Sequence, residues 1–145
     1  DVIYMSHLLE HVIDVRKTIS ICKKLLRKNG CIICEIPNIN AIEFKIFKRY
    51  WGLIHAPRHI SFFTPKTLKF LFEKNGFKIK KFNSEIATFS WALSLQNIIR
   101  DKLFRLTKKS AESYYPLLLL GFLPVTLFQS IFSNTGIISF TAIKK

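Results

Sequence analysis

His7, Glu10 and His11 stand within five residues of one another, directly after the apolar run Val2-Ile3-Tyr4-Met5. Imidazoles and a carboxylate at that spacing have three uses. On a helix, His7 and His11 share one face with Glu10 beside them, a spacing that grips a metal ion. At the carboxyl end of a parallel strand, the same residues line the lip of a ligand pocket, together with Ser6. As a plain helix start, Ser6 is the cap and Glu10 complements the helix dipole. The stretch also matches H-x-x-E-H, the inverted zinc-protease pattern. That motif belongs inside a helix and needs a third, distant ligand, whereas here it falls at a strand-to-helix switch. A second cluster, His55, Arg58 and His59 with Phe62 and Phe63, follows in "HAPRHISFFT" and can reach the same pocket mouth.

The elements that must position these residues follow from periodicity. Residues 2–5 predict a strand covered on both faces. From His7, the apolar positions Leu8, Val12, Val15, Ile19, Cys22 and Leu26 predict one helix, ended by Asn29-Gly30. Cys31 to Ile36 predicts a second strand closed by Pro37-Asn38, and strand, helix, strand with short links is a parallel crossover. A helix over 42–50, an ordered loop through "WGLIHAPRHISFF", and a helix capped by Thr64-Pro65 and closed by Asn75-Gly76 come next. A strand over 77–83, a helix over 87–106 broken at Lys108-Lys109, and a final strand over 136–143 complete the pattern. Residues 113–143 hold no charge. Pro116, Gly121 and Pro124 argue against a regular membrane span there. The expectation is a helical, apolar insertion over 86–135, packed over the sheet before the last strand.

With 145 residues, 49% hydrophobic, the chain suits one domain with its own core. Its formal charge of +14 favours acidic partners, yet the basic residues are spread over most elements with no arginine-rich arm or nucleic-acid signature. Nucleic acid binding therefore rests on charge alone. Three cysteines and no secretory leader imply a reducing cytoplasm. Cys31 and Cys34 have redox spacing, but on a strand residues three apart face opposite ways.

Taken in order, "DVIYMSHLLEHVID", "LLRKNGCIICEIPN" and "WGLIHAPRHISFFTPKTLKFLFEKNGF" resemble the C-terminal half of class I S-adenosylmethionine-dependent methyltransferases, nearest the ubiquinone-biosynthesis O-methyltransferase branch. The shared features are the aspartate-led strand, Leu9-Glu10-His11-Val12, the Pro37-Asn38 strand end, and His59 four residues before Phe63-Thr64. Lys28-Asn29-Gly30 stands where the family has a proline-glycine-glycine turn. The resemblance covers residues 1 to about 85 and the closing strand. It implies an α/β fold: a partial Rossmann-like methyltransferase sheet, strands four to seven, with flanking helices. The family holds its cofactor with a glycine-rich loop, and glycines 30, 52, 76, 121 and 136 make no G-x-G. The implied N-terminal cofactor-binding half is thus absent, and the expectation is a truncated domain, inactive as it stands.

By the same resemblance, Ser6, His7 and Leu8 flank the methionine end of S-adenosylmethionine. Metal-dependent relatives place E-x-x-E-H at this position, which implies His7, Glu10, His11 and His59 as ligands of a divalent metal such as magnesium. Without a metal, His11 or His59 is the general base for a hydroxyl acceptor. The acceptor expected is a small molecule, a sugar or a lipid-linked group. Residues 113–135 offer peripheral contact with an anionic membrane. A non-catalytic remnant that self-associates through the exposed sheet edge is the rival reading.

Overall fold

The computed structural model describes residues 1–104, 114–132 and 135–145. Four strands form one sheet in the order β1-β2-β4-β3: β1 (Val2–Ser6), β2 (Cys31–Pro37), β3 (Phe77–Glu85) and β4 (Ile137–Lys144). β1 and β2 are parallel, with Ile3 opposite Ile32, while β4 runs antiparallel to both β2 and β3. Between β1 and β2 lies α1 (Val15–Leu25). Between β2 and β3 come α2 (Ile42–Phe47) and α3 (Pro65–Lys74). Between β3 and β4 come α4 (Thr88–Ile98), a π-helical turn at Ile99–Phe104, and α5 (Tyr115–Ile131). The predicted break at Lys108-Lys109 lies outside the described residues.

β1 departs from the expected strand buried on both faces. It is an edge of the described sheet, and Val2 and Tyr4 are 58% and 61% exposed while Met5 is buried. The helix expected from His7 also starts later. His7 turns at φ 48°, Leu9–His11 make a single 3-10 turn, and α1 begins only after Asp14. The cause is competition for backbone groups. A continuous helix needs the Glu10 carbonyl for its own ladder, but that carbonyl accepts the N–H groups of Ile60 and Ser61 at 2.9 and 3.2 Å. Asp14 then caps the helix by accepting the Lys17 N–H at 2.9 Å, the role sequence reasoning gave to Ser6. At the far end the left-handed stop falls on Asn29, φ 65°, rather than Gly30. The Lys144 ammonium donates to the Lys23 and Leu26 carbonyls there, tying α1 to β4.

The main core joins Met5, Leu9, Ile19, Ile32, Ile36, Leu68, Phe72 and Phe140, with Phe72 edge-on to Phe140 at 5.0 Å between ring centroids. A second cluster gathers Phe47, Trp51, Leu53, Ala87, Trp91 and Ile137. A buried carboxylate was missed by patterning: Glu43 accepts the Gly136 N–H at 3.0 Å and fixes the start of β4. α5 packs on α4 through the Trp91 indole, which donates to Gln129 at 2.8 Å. Pro124 lies inside α5, whose Leu117, Leu120, Phe128 and Ile131 are exposed. Among the described residues no helix is long and apolar enough to cross a membrane.

Cys22, Cys31 and Cys34 are free thiols. Burial pushes Cys34 up to about 12, with the charges of Glu10 and Glu35 acting in the same direction. At about pH 8, a thiol reagent followed by mass mapping should label the half-buried Cys31 first, and Cys34 only in denaturant. Rapid labelling of Cys34 in the folded chain would contradict its place in the core.

Candidate active site

The β1 ladder runs on past Ser6 through one more bond, His7 N–H to the Glu35 carbonyl at 3.0 Å. The left-handed turn at His7 then drops Leu9 and Glu10 into the interior, where Glu10 is 1% exposed. A distant segment arrives on top. Asn38, at the end of β2, bridges Phe63, and Ile39 donates to the Phe63 carbonyl at 3.0 Å, so residues 51–63 are held beside the strand ends. The other edge of that segment is pinned to α4. Trp51 Nε1–H donates to Ser90 Oγ at 3.1 Å, Gly52 N–H to Ser94 Oγ at 2.8 Å, and Asn97 Nδ2–H to the Tyr50 carbonyl at 3.1 Å. Ser90, Ser94 and Asn97 are spaced four and three apart, one face of the helix.

This frame brings all four histidines of the chain, His7, His11, His55 and His59, to one open cavity of about 300 Å³, lined also by Leu53, Arg58 and Phe89. His59 stands edge-on to His11 at 4.7 Å and stacks on His55 at 5.2 Å, ring centre to centre. Two of the four, His7 and His55, have positive φ, at 48° and 41°, a conformation sparsely populated by non-glycine residues.

The proton positions follow from the partners. His11 Nδ1 is 2.9 Å from the Arg58 carbonyl and His59 Nδ1 is 2.8 Å from the Leu53 carbonyl. A carbonyl only accepts, so both Nδ1 atoms carry a proton, and in the neutral ring the lone pair lies on Nε2. Burial holds His59 below the usual imidazole range, against the Leu53 bond and the charge of Glu10 that pull it up, so its neutral form is favoured. His7 differs. Its Nδ1 lies 3.1 Å from Glu10 Oε1 and its Nε2 3.3 Å from Glu35 Oε1, and the Glu10 bond raises it above the usual range despite partial burial. Tyr4 donates to the other Glu35 oxygen at 3.3 Å.

Glu10 is the shared partner. Its Oε1 faces both His7 and, at 4.0 Å, His59 Nε2, while its buried Oε2 has no hydrogen-bond partner. One ligand atom each from Glu10, His11 and His59 lies within 4.8 Å of the others. Two imidazoles whose other nitrogen is held by a carbonyl, plus a carboxylate oxygen in want of a partner, fit a divalent cation. His7 stands outside that set because both its nitrogens face carboxylates. Ser6 is exposed at the strand end and Leu8 is 44% exposed beside it. Glu35, Leu53, Phe89 and the α4 polar face were missed by sequence reasoning. Only the last left a signal, Ser90 and Ser94 four apart with Asn97 three further on.

The model of the family described as "Methyltransferase domain" matches residues 1–81, and the chain belongs to that family. No curated protein sequence matches it. Among solved structures it is similar in fold to Haemonchus contortus phosphoethanolamine N-methyltransferase 2 bound to phosphomonomethylethanolamine and S-adenosylhomocysteine (17% identity, TM-score 0.57), covering 99% of this chain and 33% of that one. An Archaeoglobus fulgidus S-adenosylmethionine-dependent methyltransferase gives 20% and 0.54, covering 99% and 59%. The Mycobacterium tuberculosis cyclopropane synthase MmaA2 gives 16% and 0.55, covering 99% and 55%. The chain therefore spans between 33% and 59% of the length of these three solved chains.

Gly52 makes the frame testable. A Cβ there would stand 2.5 Å from Leu93 Cβ and 3.0 Å from the Ser90 carbonyl. Gly52→Ala should lower unfolding free energy by about 1–3 kcal/mol in urea titration. An unchanged midpoint would mean that the segment does not sit on α4.

Proposed function

We propose that this chain carries the strand-end and acceptor side of an S-adenosylmethionine-dependent methyltransferase that methylates a hydroxyl oxygen of a small molecule, a sugar or a lipid-linked acceptor. The observation that carries this reading is the neutral, buried His59, its free Nε2 turned toward Glu10 in a cavity beyond the carboxyl end of β1. Family membership supports the methyl transfer, and the Leu9-Glu10-His11 and His59-to-Phe63 spacings support kinship with the ubiquinone-pathway branch.

S-adenosylmethionine, when bound, supplies a methyl group made electrophilic by its sulfonium. Exposed Ser6 and Leu8 with the turned His7 suit the methionine end of that molecule, whereas residues 1–145 contain no G-x-G to hold the rest. That methyl-transfer chemistry would form the bond between acceptor oxygen and methyl carbon at the expense of the carbon–sulfur bond, and would release S-adenosylhomocysteine. The hydroxyl proton passes to His59 Nε2, and the Glu10 carboxylate stabilises the imidazolium that forms. His7, held between Glu10 and Glu35, keeps the Glu10 carboxylate in place.

A second reading rests on the unpartnered Glu10 Oε2. Glu10, His11 and His59 would then hold a divalent cation, whose chemistry is to lower the pKa of an acceptor hydroxyl.

Methyl transfer by the native protein carrying residues 1–145, from methyl-labelled S-adenosylmethionine to a panel of hydroxyl acceptors, tests both. His59→Gln should lower kcat by about 10²–10⁴, with S-adenosylhomocysteine affinity unchanged. Activity that survives chelator dialysis favours the base, and activity restored only by magnesium favours the cation. Full activity in His59→Gln would overturn both readings.

A further inference from the structure

A second cavity, of about 420 Å³, opens between the 49–56 segment and α4, and His55 lines both this cavity and that of the four histidines. Its lining is unlike that of its neighbour. Trp51, Leu93 and Ile54 supply apolar walls, Gln96 and Asn97 supply amides, and two guanidiniums, Arg49 and Arg100, stand at it. Arg49 lies 2.5 Å from the Tyr50 hydroxyl and 3.6 Å from Asp101, so one carboxylate offsets part of its charge. Arg100 makes no ion pair among the described residues. Lys102 adds a further cation 5.8 Å from the Tyr50 ring centre. Among the described residues, Arg49, Arg100 and Lys102 thus outnumber the single carboxylate of Asp101 at this end of α4.

We infer that the methyl acceptor is an anion, and that its phosphate or carboxylate group docks on Arg49 and Arg100 in this cavity while its hydroxyl reaches past His55 toward His59. The inference rests on the methyltransferase reading for the word acceptor; the anion site itself does not. Guanidiniums bind such groups by paired, charge-assisted hydrogen bonds, and they do so best where the surrounding frame is already rigid. The frame here is rigid: the Ser90, Ser94 and Asn97 bonds fix residues 50–52 on α4 before any ligand arrives. The shared wall at His55 joins recognition of charge on one side to proton removal on the other.

The probe is phenyl phosphate, titrated calorimetrically into the native protein carrying residues 1–145, with benzyl alcohol as the uncharged control. Arg100→Gln and Arg49→Gln should each weaken phenyl phosphate binding by about tenfold or more, while S-adenosylhomocysteine affinity stays put. Both arginines are exposed, so the variants should fold, which circular dichroism checks. Vesicles of phosphatidylglycerol that bind with the same arginine dependence identify a lipid headgroup as the source. Dependence confined to soluble phosphate identifies a soluble acceptor. Phenyl phosphate that fails to bind, or binds both variants as tightly as wild type, overturns the inference. Arginine-dependent binding of phenyl phosphate without any binding of S-adenosylhomocysteine would uphold the anion site and sink the methyltransferase reading alone.

Discussion

Burying a carboxylate obliges the chain to surround it, and the site is organised by that obligation at Glu10. A charged group removed from water carries a large desolvation cost unless polar partners replace the lost hydration. Here the side chain takes His7 on one flank and faces His59 on the other, while the backbone carbonyl of the same residue receives two N–H donors from residues 60 and 61. One residue therefore joins the end of the first strand to a loop some fifty positions later. Both the shortened α1 and the histidine cavity follow from that junction.

The loop has to be held from its other side as well, and α4 does this with short polar side chains in an apolar helix. Ser90, Ser94 and Asn97 take up the donors and acceptor of residues 50–52 that the tight approach at Gly52 would otherwise leave buried and unpaired. His55 and His59 then rest on a segment fixed at Asn38, at Glu10 and along α4. Such support from several elements is what keeps positive-φ histidines in place, and it places imidazoles rather than mobile side chains at the pocket.

Much of this was legible in the sequence. The parallel strand pair, the Thr64 cap with Pro65, the Asn75-Gly76 stop and the final strand all carry local signals that the structure repeats. The meeting of the two histidine clusters was legible as well, because they follow the ends of the two parallel strands, β1 and β2. The helix start at His7 was misread for a physical reason: the 3.6-residue pattern through Leu8 and Val12 is real, but the Glu10 carbonyl is taken by a non-local partner that no local pattern encodes. Likewise Glu35 and Glu43 sit in strand and helix patterns that read as ordinary, and only the tertiary fold gives them their partners, His7 for Glu35 and the buried Gly136 N–H for Glu43. The exposed face of β1 was invisible for the same reason, since coverage depends on neighbours rather than on apolar composition.

The site depends above all on His59 standing as a neutral imidazole, its Nδ1 proton on the Leu53 carbonyl and its Nε2 lone pair turned toward Glu10. Long-range nitrogen–proton correlation NMR of the four histidine rings tests it directly. The Nδ1–H tautomer is expected for His59 near neutral pH, with the His59 midpoint below the free value of about 6.5 and the His7 midpoint above it. An Nε2–H tautomer at His59, or a His59 midpoint above that of His7, would contradict it.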